Sequence, residues 1–63
     1  MNNDTDKYRL GIVTKTGRIF GINISSKEEA DDYILNLAGK EGIKQYRLID
    51  RQTGELIDKG NDL

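Results

Sequence analysis

The sequence predicts an α+β domain in which two β-hairpins flank one helix, in the order ββαββ. Residues 8–20 and 46–57 follow one plan: each begins Tyr-Arg-Leu, reaches a Thr-Gly turn and ends in apolar residues. The segment between them has apolar residues at helical spacing. With 63 residues the chain is long enough for one domain only. We therefore expect a four-stranded antiparallel sheet with the helix packed on one face.

The first hairpin has a register that its apolar residues select. Large apolar residues occupy alternate positions of both strands, namely Tyr8, Leu10, Ile12, Phe20, Ile22 and Ile24. A three-residue loop over 15–17, with Gly17 in the left-handed conformation, places Ile12 opposite Phe20 and gathers the whole set on one face. A two-residue loop would scatter it, so the pattern favours the longer loop.

The helix is predicted to begin after Ser25 or Ser26. Ser26 followed by Glu29 has the spacing of a capping box. An apolar stripe then recurs at i, i+3, i+4, i+7 and i+8, formed by Ala30, Tyr33, Ile34, Leu37 and Ala38. We expect Gly42 to end the helix, because glycine readily takes the left-handed conformation found there, with Gly39 as an earlier alternative.

The second hairpin is predicted from the same loop type. A three-residue loop over 52–54 would place Arg51 opposite Glu55 and Ile49 opposite Ile57. We expect the last strand to be short and to lie at an edge, where charge is tolerated. The order of the strands is left open. The predicted core consists of Tyr8, Leu10, Ile12, Phe20, Ile22, Ile24, Ala30, Tyr33, Ile34, Leu37, Ala38, Ile43, Tyr46, Leu48 and Leu56.

The composition excludes several chemistries. The chain has no cysteine and no histidine, so it can form no disulfide, no thiolate metal site and no nucleophile activated by imidazole. The acidic cluster at residues 28–32 favours a solvated helix N-terminus over a metal site, because its carboxylates spread around the helix. We expect no enzyme activity, no cofactor and no metal. A core this small favours association with another subunit.

Domain boundaries and location are predicted from the same composition. Residues 1–6 are polar and acidic and predict a disordered lead-in; residues 7–60 form the domain and 61–63 a tail of the same kind. No apolar run approaches the ~20 residues needed to cross a bilayer. The N-terminus does not resemble a signal peptide. We therefore expect a cytoplasmic protein that does not enter a membrane.

The sheet face away from the helix is the candidate functional surface. It is predicted to carry Arg9, Val13, Ile19, Asn23, Arg47, Ile49, Arg51, Ile57 and Lys59. An apolar centre with an arginine rim is typical of protein contacts. Two other interpretations stay open. One is a half-solvated sheet face without a partner. The other is a nucleic-acid surface, although base stacking usually needs exposed aromatic rings and the net charge is −1.

Three local signals support a resemblance. They are Ser26-Lys27-Glu28-Glu29-Ala30, then Gly39 or Gly42 after the helix, and the Thr53-Gly54 turn that follows a strand. With these motifs, residues 26–59 resemble small uncharacterised bacterial and phage ββαββ proteins. The resemblance implies the fold and carries no active site, ligand or partner.

The functional expectation is a small protein-interaction module that acts as a homodimer. It would be a regulator or inhibitor, encoded by a bacterium or phage, that binds a protein partner. One alternative is a nucleic-acid accessory protein that uses Arg9, Arg47, Arg51 and Lys59. Another is an oligomer that sequesters an ion or a small metabolite at its interface.

Overall fold

The computed structural model describes residues 6–63 as one sheet and one helix. The strands are β1 (Tyr8–Thr14), β2 (Ile19–Ile24), β3 (Ile43–Asp50) and β4 (Leu56–Asn61), and the helix is α1 (Lys27–Lys40). All neighbouring strands are antiparallel, in the order β2-β1-β3-β4. The predicted α+β fold is confirmed, and the undecided strand order is settled with β1 and β3 in the centre. Most of the predicted lead-in lies outside the described residues.

The first hairpin has the predicted loop and register. Residues 15–17 form the loop, Gly17 has a φ of 97°, and its N–H donates to the Thr14 carbonyl over 3.1 Å. Ile12 lies opposite Phe20, as the hydrophobic pattern requires. A residue with a Cβ would be strained at this φ, so the glycine defines where the hairpin turns.

The helix begins at an N-cap serine. The Ser26 hydroxyl accepts a hydrogen bond from the Glu29 N–H over 3.1 Å. The Glu29 carboxylate accepts from the backbone N–H of Ser25 over 3.1 Å and from its hydroxyl over 2.7 Å, one residue earlier than a capping box would place that contact. These bonds hold the pKa of Glu29 below its ordinary value, the Ser25 hydroxyl having the largest effect.

The helix ends at Lys40, Glu41 is its C-cap and Gly42 follows in the left-handed conformation, as predicted, whereas Gly39 lies inside the helix. Gly42 has a φ of 80°, and its N–H donates to the Leu37 carbonyl over 3.3 Å, which satisfies an acceptor of the last turn. The Gly42 carbonyl in turn accepts from the Lys15 N–H over 3.1 Å. The end of α1 is therefore joined to the loop of the first hairpin.

A polar clamp of four side chains strengthens that junction. Thr14 is buried, and its hydroxyl accepts from the Arg18 N–H over 3.0 Å and pairs with the Thr16 hydroxyl over 2.8 Å. The Thr16 hydroxyl donates to the Glu41 carboxylate over 2.7 Å, and the Arg18 guanidinium forms an ion pair with the same carboxylate. The Thr16 bond, followed by the charge of Arg18, lowers the pKa of Glu41.

The core lies between α1 and the sheet. Its buried apolar residues are Leu10, Ile12, Ile24, Ala30, Ile34, Leu37, Ile43 and Leu48. Half-buried residues packed against them are Tyr8, Phe20, Ile22, Tyr33, Ala38, Tyr46 and Ile57. Every predicted core residue except Leu56 belongs to one of these two sets, and Ile57 takes the place that Leu56 was predicted to have.

The second hairpin differs from its prediction because its loop has four residues. The Asp50 N–H donates to the Glu55 carbonyl over 2.9 Å, so residues 51–54 form the loop. The Asp50 carboxylate accepts from the N–H groups of Gln52 over 2.7 Å and Thr53 over 3.1 Å. Aspartate commonly holds the first position of a turn in this way. The predicted pairing of Arg51 with Glu55 is therefore wrong.

A β-bulge then changes which side chains of β4 face the core. Leu48 lies opposite Asp58, but Ile49 lies opposite Leu56, so Ile57 is an extra residue in β4. Ile57 packs against the core, whereas Leu56 is 50% exposed. The predicted Ile49–Ile57 pair is wrong, because one inserted residue moves the following side chains to the other face.

The predicted tail continues the pairing of β4 with β3. The Leu63 and Ile43 backbones exchange two hydrogen bonds of 2.8 and 2.9 Å, and the Asp62 N–H donates to the Lys44 carbonyl over 3.0 Å. The last residues of the chain thus extend the edge of the sheet instead of leaving it. Within residues 6–63, no helix is long and apolar enough to cross a membrane.

Candidate functional site

The sheet has one face covered by α1 and one face that no described element covers. In β1, Leu10, Ile12 and Thr14 are buried, so Arg9, Gly11 and Val13 point the other way. We call the second surface the open face. Cross-strand pairing extends it to Ile19, Gly21 and Asn23 of β2, Gln45, Arg47 and Ile49 of β3, and Leu56, Lys59 and Asn61 of β4.

Most of the sequence-predicted site residues come together on the open face. They are Arg9, Val13, Ile19, Arg47, Ile49 and Lys59. Arg51 lies just beyond β3, where its backbone N–H donates to the Lys7 carbonyl and its guanidinium donates to the Asp6 carbonyl, each over 2.9 Å. Ile57 packs against the core and does not belong to this surface.

The predicted surface lacked five residues of the open face, namely Gly11, Gly21, Gln45, Leu56 and Asn61. Leu56 was assigned to the core because the hairpin loop was predicted one residue too short. Asp50 is the signal that would have corrected it, since aspartate favours the first position of a turn. Gly11 and Gly21 were missed because they carry no side chain, although the predicted register of the first hairpin already placed them opposite each other.

These two glycines form the floor of a shallow groove. Gly11 lies between Gly21 on β2 and Arg47 on β3, and a Cβ at Gly11 would meet no atom within 4 Å. The groove has a volume of about 280 Å³. Its walls include Arg9, Val13, Ile19, Gln45, Arg47 and Ile49. The groove therefore combines apolar walls with two guanidinium groups at the centre of the open face.

Arg9 crosses the groove toward β2. Its Nη1 donates to Asn23 Oδ1 over 3.1 Å. The guanidinium lies directly over Gly21, since a Cβ there would stand 2.8 Å from Arg9 Nη2. The absence of a side chain at Gly21 is what allows this close approach.

The open face is basic. Arg9, Arg47 and Lys59 lie on it, and none of its described strand positions holds a carboxylate. Lys7 and Arg51 lie beyond its end, next to Asp6 and Asp50. Arg47 stands directly opposite Lys59, a pairing of like charges that disfavours the sheet. Among residues 6–63 the one ion pair within 4.0 Å is Arg18–Glu41. The opposite side of the molecule carries four carboxylates in the first two turns of α1, at residues 28–32.

The described strands place no aromatic residue on the open face. Tyr8, Phe20 and Tyr46 pack against the core on the side that α1 covers. A surface that binds single-stranded nucleic acid normally offers rings for base stacking. In the described part of the chain, no three carboxylates come close enough to hold a metal ion. The chemistry of the surface is that of fixed positive charge around apolar side chains.

Comparison with family models, with curated proteins and with solved structures finds no match. The resemblance of residues 26–59 to small bacterial and phage proteins therefore stays a prediction. The functional argument rests on the geometry and charge of the open face.

Proposed function

We propose that this protein is a non-catalytic interaction module whose open face binds an acidic surface of another protein. The observation that carries the proposal is the grouping of three cationic side chains, Arg9, Arg47 and Lys59, among exposed apolar side chains, without a carboxylate at the described strand positions of this face. An acidic partner would relieve the repulsion between Arg47 and Lys59 and would be attracted to the face at long range. A cytoplasmic regulator or inhibitor fits this mode of action.

The exposed apolar side chains support a protein partner over a nucleic acid. Ile19 on β2 is 78% exposed and Leu56 on β4 is 50% exposed, so they lie on the two edge strands, on either side of the central arginines. Protein interfaces combine apolar with polar side chains, and arginine is enriched in them. Nucleic acid would use the cations but would leave these aliphatic side chains without a base to contact.

The charge of the open face argues against a symmetric dimer formed through it. Two copies placed face to face would bring three cations against three, with no carboxylate at the described strand positions of that face to separate them. The partner of the open face is therefore a different molecule, and the expected homodimer requires another surface.

The proposal is tested with defined ligands and backbone-amide NMR. The ligands are an acidic amphipathic peptide of alternating glutamate and leucine, its lysine-leucine counterpart, and single-stranded and double-stranded oligonucleotides. We expect the acidic peptide to shift the amides of Gly11, Arg47 and Ile49, and the lysine peptide to shift none. Affinity should fall as salt is added, because salt screens the attraction.

Three variants complete the test. Arg47→Glu should abolish binding of the acidic peptide, whereas Lys27→Glu, the same charge change on exposed helix α1, should leave the open-face shifts in place. The double variant Ile49→Thr, Leu56→Thr should weaken binding while keeping the cations. Binding of an oligonucleotide but not of the acidic peptide would show that the open face binds nucleic acid and not a protein. Equal loss in Arg47→Glu and Lys27→Glu would refute a role for the open face.

A further inference from the structure

The two edge strands expose backbone groups that could pair with another strand. Antiparallel strands direct alternate residues toward each neighbour. The Thr14 N–H donates to the Arg18 carbonyl across the first hairpin, so every second residue from Arg18 onward turns toward β1. The N–H and C=O groups of Ile19, Gly21 and Asn23 therefore point outward from the edge of the sheet.

The edge at β4 is blocked by its own side chains. β4 carries a bulge and the adjacent charges of Asp58 and Lys59. The Asp58 carboxylate accepts from the Lys59 N–H over 2.8 Å, which occupies a donor that a neighbouring strand would need. Charged side chains and bulges are the usual means by which proteins prevent edge-to-edge pairing.

The edge at β2 has none of this protection. Its sequence, Ile-Phe-Gly-Ile-Asn-Ile, contains no charged residue, and its register with β1 is regular throughout. An uncharged, apolar edge of six residues is the kind of strand that accepts another strand.

Side chains on both faces of β2 are also incompletely covered. Ile19 on the open face is the most exposed large apolar residue of the described chain. On the other face Phe20 and Ile22 pack against the core but stay half-buried, with Phe20 in edge-on contact with Tyr33 at 6.4 Å between ring centroids. A strand added beside β2 would cover apolar surface on both faces at once.

We propose that β2 pairs antiparallel with β2 of a second copy, so that two four-stranded sheets join into one sheet of eight strands. The occupant is a second copy because the β2 strand itself carries no charge and leaves Ile19, Phe20 and Ile22 incompletely covered, so two identical β2 edges would cover each other's apolar side chains. Self-association also supplies what the small core lacks, since a domain of this length without disulfides commonly gains stability from a second subunit. Apart from the β2 edge around Ile19, both open faces remain free in this dimer, so the inference does not depend on the acidic partner.

Arg9 opposes the association, and this repulsion predicts how dimerisation depends on salt. Because its guanidinium lies over Gly21, pairing two β2 strands brings two Arg9 side chains toward each other. Salt screens this repulsion, so dimerisation should strengthen as salt is added. Binding of an acidic peptide to the open face should weaken under the same change, which separates the two proposals.

The association is tested by sedimentation of the full chain and its variants over a range of protein and salt concentrations. The wild-type chain should sediment as a dimer. Ile19→Lys places a charge on the β2 edge and should raise the dissociation constant at least about tenfold, because edge lysines prevent strand pairing. Leu35→Lys is the matched control, since Leu35 is 71% exposed on α1, and this variant should sediment as the wild type does.

Amide hydrogen exchange locates the interface without any substitution. In the dimer the outward amides of Ile19, Gly21 and Asn23 should be protected, and they should lose that protection on dilution while Phe20 and Ile22 keep theirs. A monomer at every concentration, or a dimer that Ile19→Lys leaves intact, would overturn the proposal. Protection that appears at β4 instead would overturn it, and so would protection of β2 that requires an added peptide.

Discussion

Replacing Gly60 by alanine should destabilise the fold, because the Tyr46 ring rests on that glycine. Gly60 of β4 lies directly opposite Tyr46 of β3. A Cβ at Gly60 would stand 2.8 Å from Tyr46 Cζ and 2.9 Å from its hydroxyl oxygen, and closer still to Cε2. A carbon atom cannot occupy that position beside a ring, so the ring must move away from the sheet.

The size of the effect follows from two opposing contributions. Forcing an extra carbon into a packed contact typically costs about 1–3 kcal/mol. Alanine in a strand gains roughly 0.5–1 kcal/mol over glycine, because glycine loses more backbone freedom on folding. We therefore expect Gly60→Ala to lower the free energy of unfolding by about 1 kcal/mol. The Cβ of Gly11→Ala would meet no atom within 4 Å, so this variant should keep the full entropic advantage of alanine over glycine. Its free energy of unfolding should therefore rise by about 0.5 kcal/mol.

The assay is urea unfolding followed by circular dichroism, with both variants and the wild type at one protein concentration. A fixed concentration matters because association with a second copy adds to apparent stability. NMR titration of the Tyr46 ring gives a second readout. Burial of the ring, and then the charge of Asp58, raise the pKa of Tyr46 above its ordinary value of 10.0. In Gly60→Ala the displaced ring should titrate closer to that value.

A Gly60→Ala variant that is at least as stable as Gly11→Ala would refute this reasoning. An unchanged Tyr46 pKa would refute it independently, because it would show that the ring had not moved.

Four further substitutions test the clamp, the bulge and the end of the helix. The Thr16 hydroxyl lowers the pKa of Glu41 in the folded state, so the carboxylate stabilises the fold above its ordinary pKa of 4.5, and this contribution is lost as the pH falls through the lowered value. In Glu41→Gln the melting temperature should fall less steeply as the pH is lowered. An unchanged fall would contradict the clamp. Ile57→Thr should lower the free energy of unfolding, measured with urea, by about 1–2 kcal/mol, because Ile57 packs against the core. Leu56→Thr should lower it by under about 0.5 kcal/mol, because Leu56 is exposed. Equal losses in the two variants would disprove the bulge register. Gly42→Ala should cost roughly 1–2 kcal/mol in the same assay, because its φ is 80°; no loss would show that the helix end tolerates a Cβ.

The first hairpin and the helix could be read from the sequence because each depends on neighbouring residues. Gly17 specifies the left-handed loop position, and the alternation of large apolar residues then admits one register. Ser26 and Gly42 mark the two ends of α1 through contacts within a few residues along the chain. The basic character of the open face followed from the same alternation, so most of the candidate surface was predictable.

The sequence by itself therefore determined the fold class, the first hairpin, the helix and the charge of the open face. Only the tertiary structure decided the strand order and the second hairpin. The Arg51 N–H donates to the Lys7 carbonyl of the neighbouring chain segment, so this residue is turned toward β1 and the hairpin must close one residue earlier, at Asp50. The bulge then brings Ile57 to the core and Leu56 to the open face. Contacts between distant parts of the chain impose the strand order and the bulge, which local patterns in the sequence do not encode. The turn aspartate Asp50 is a local signal for the longer loop alone.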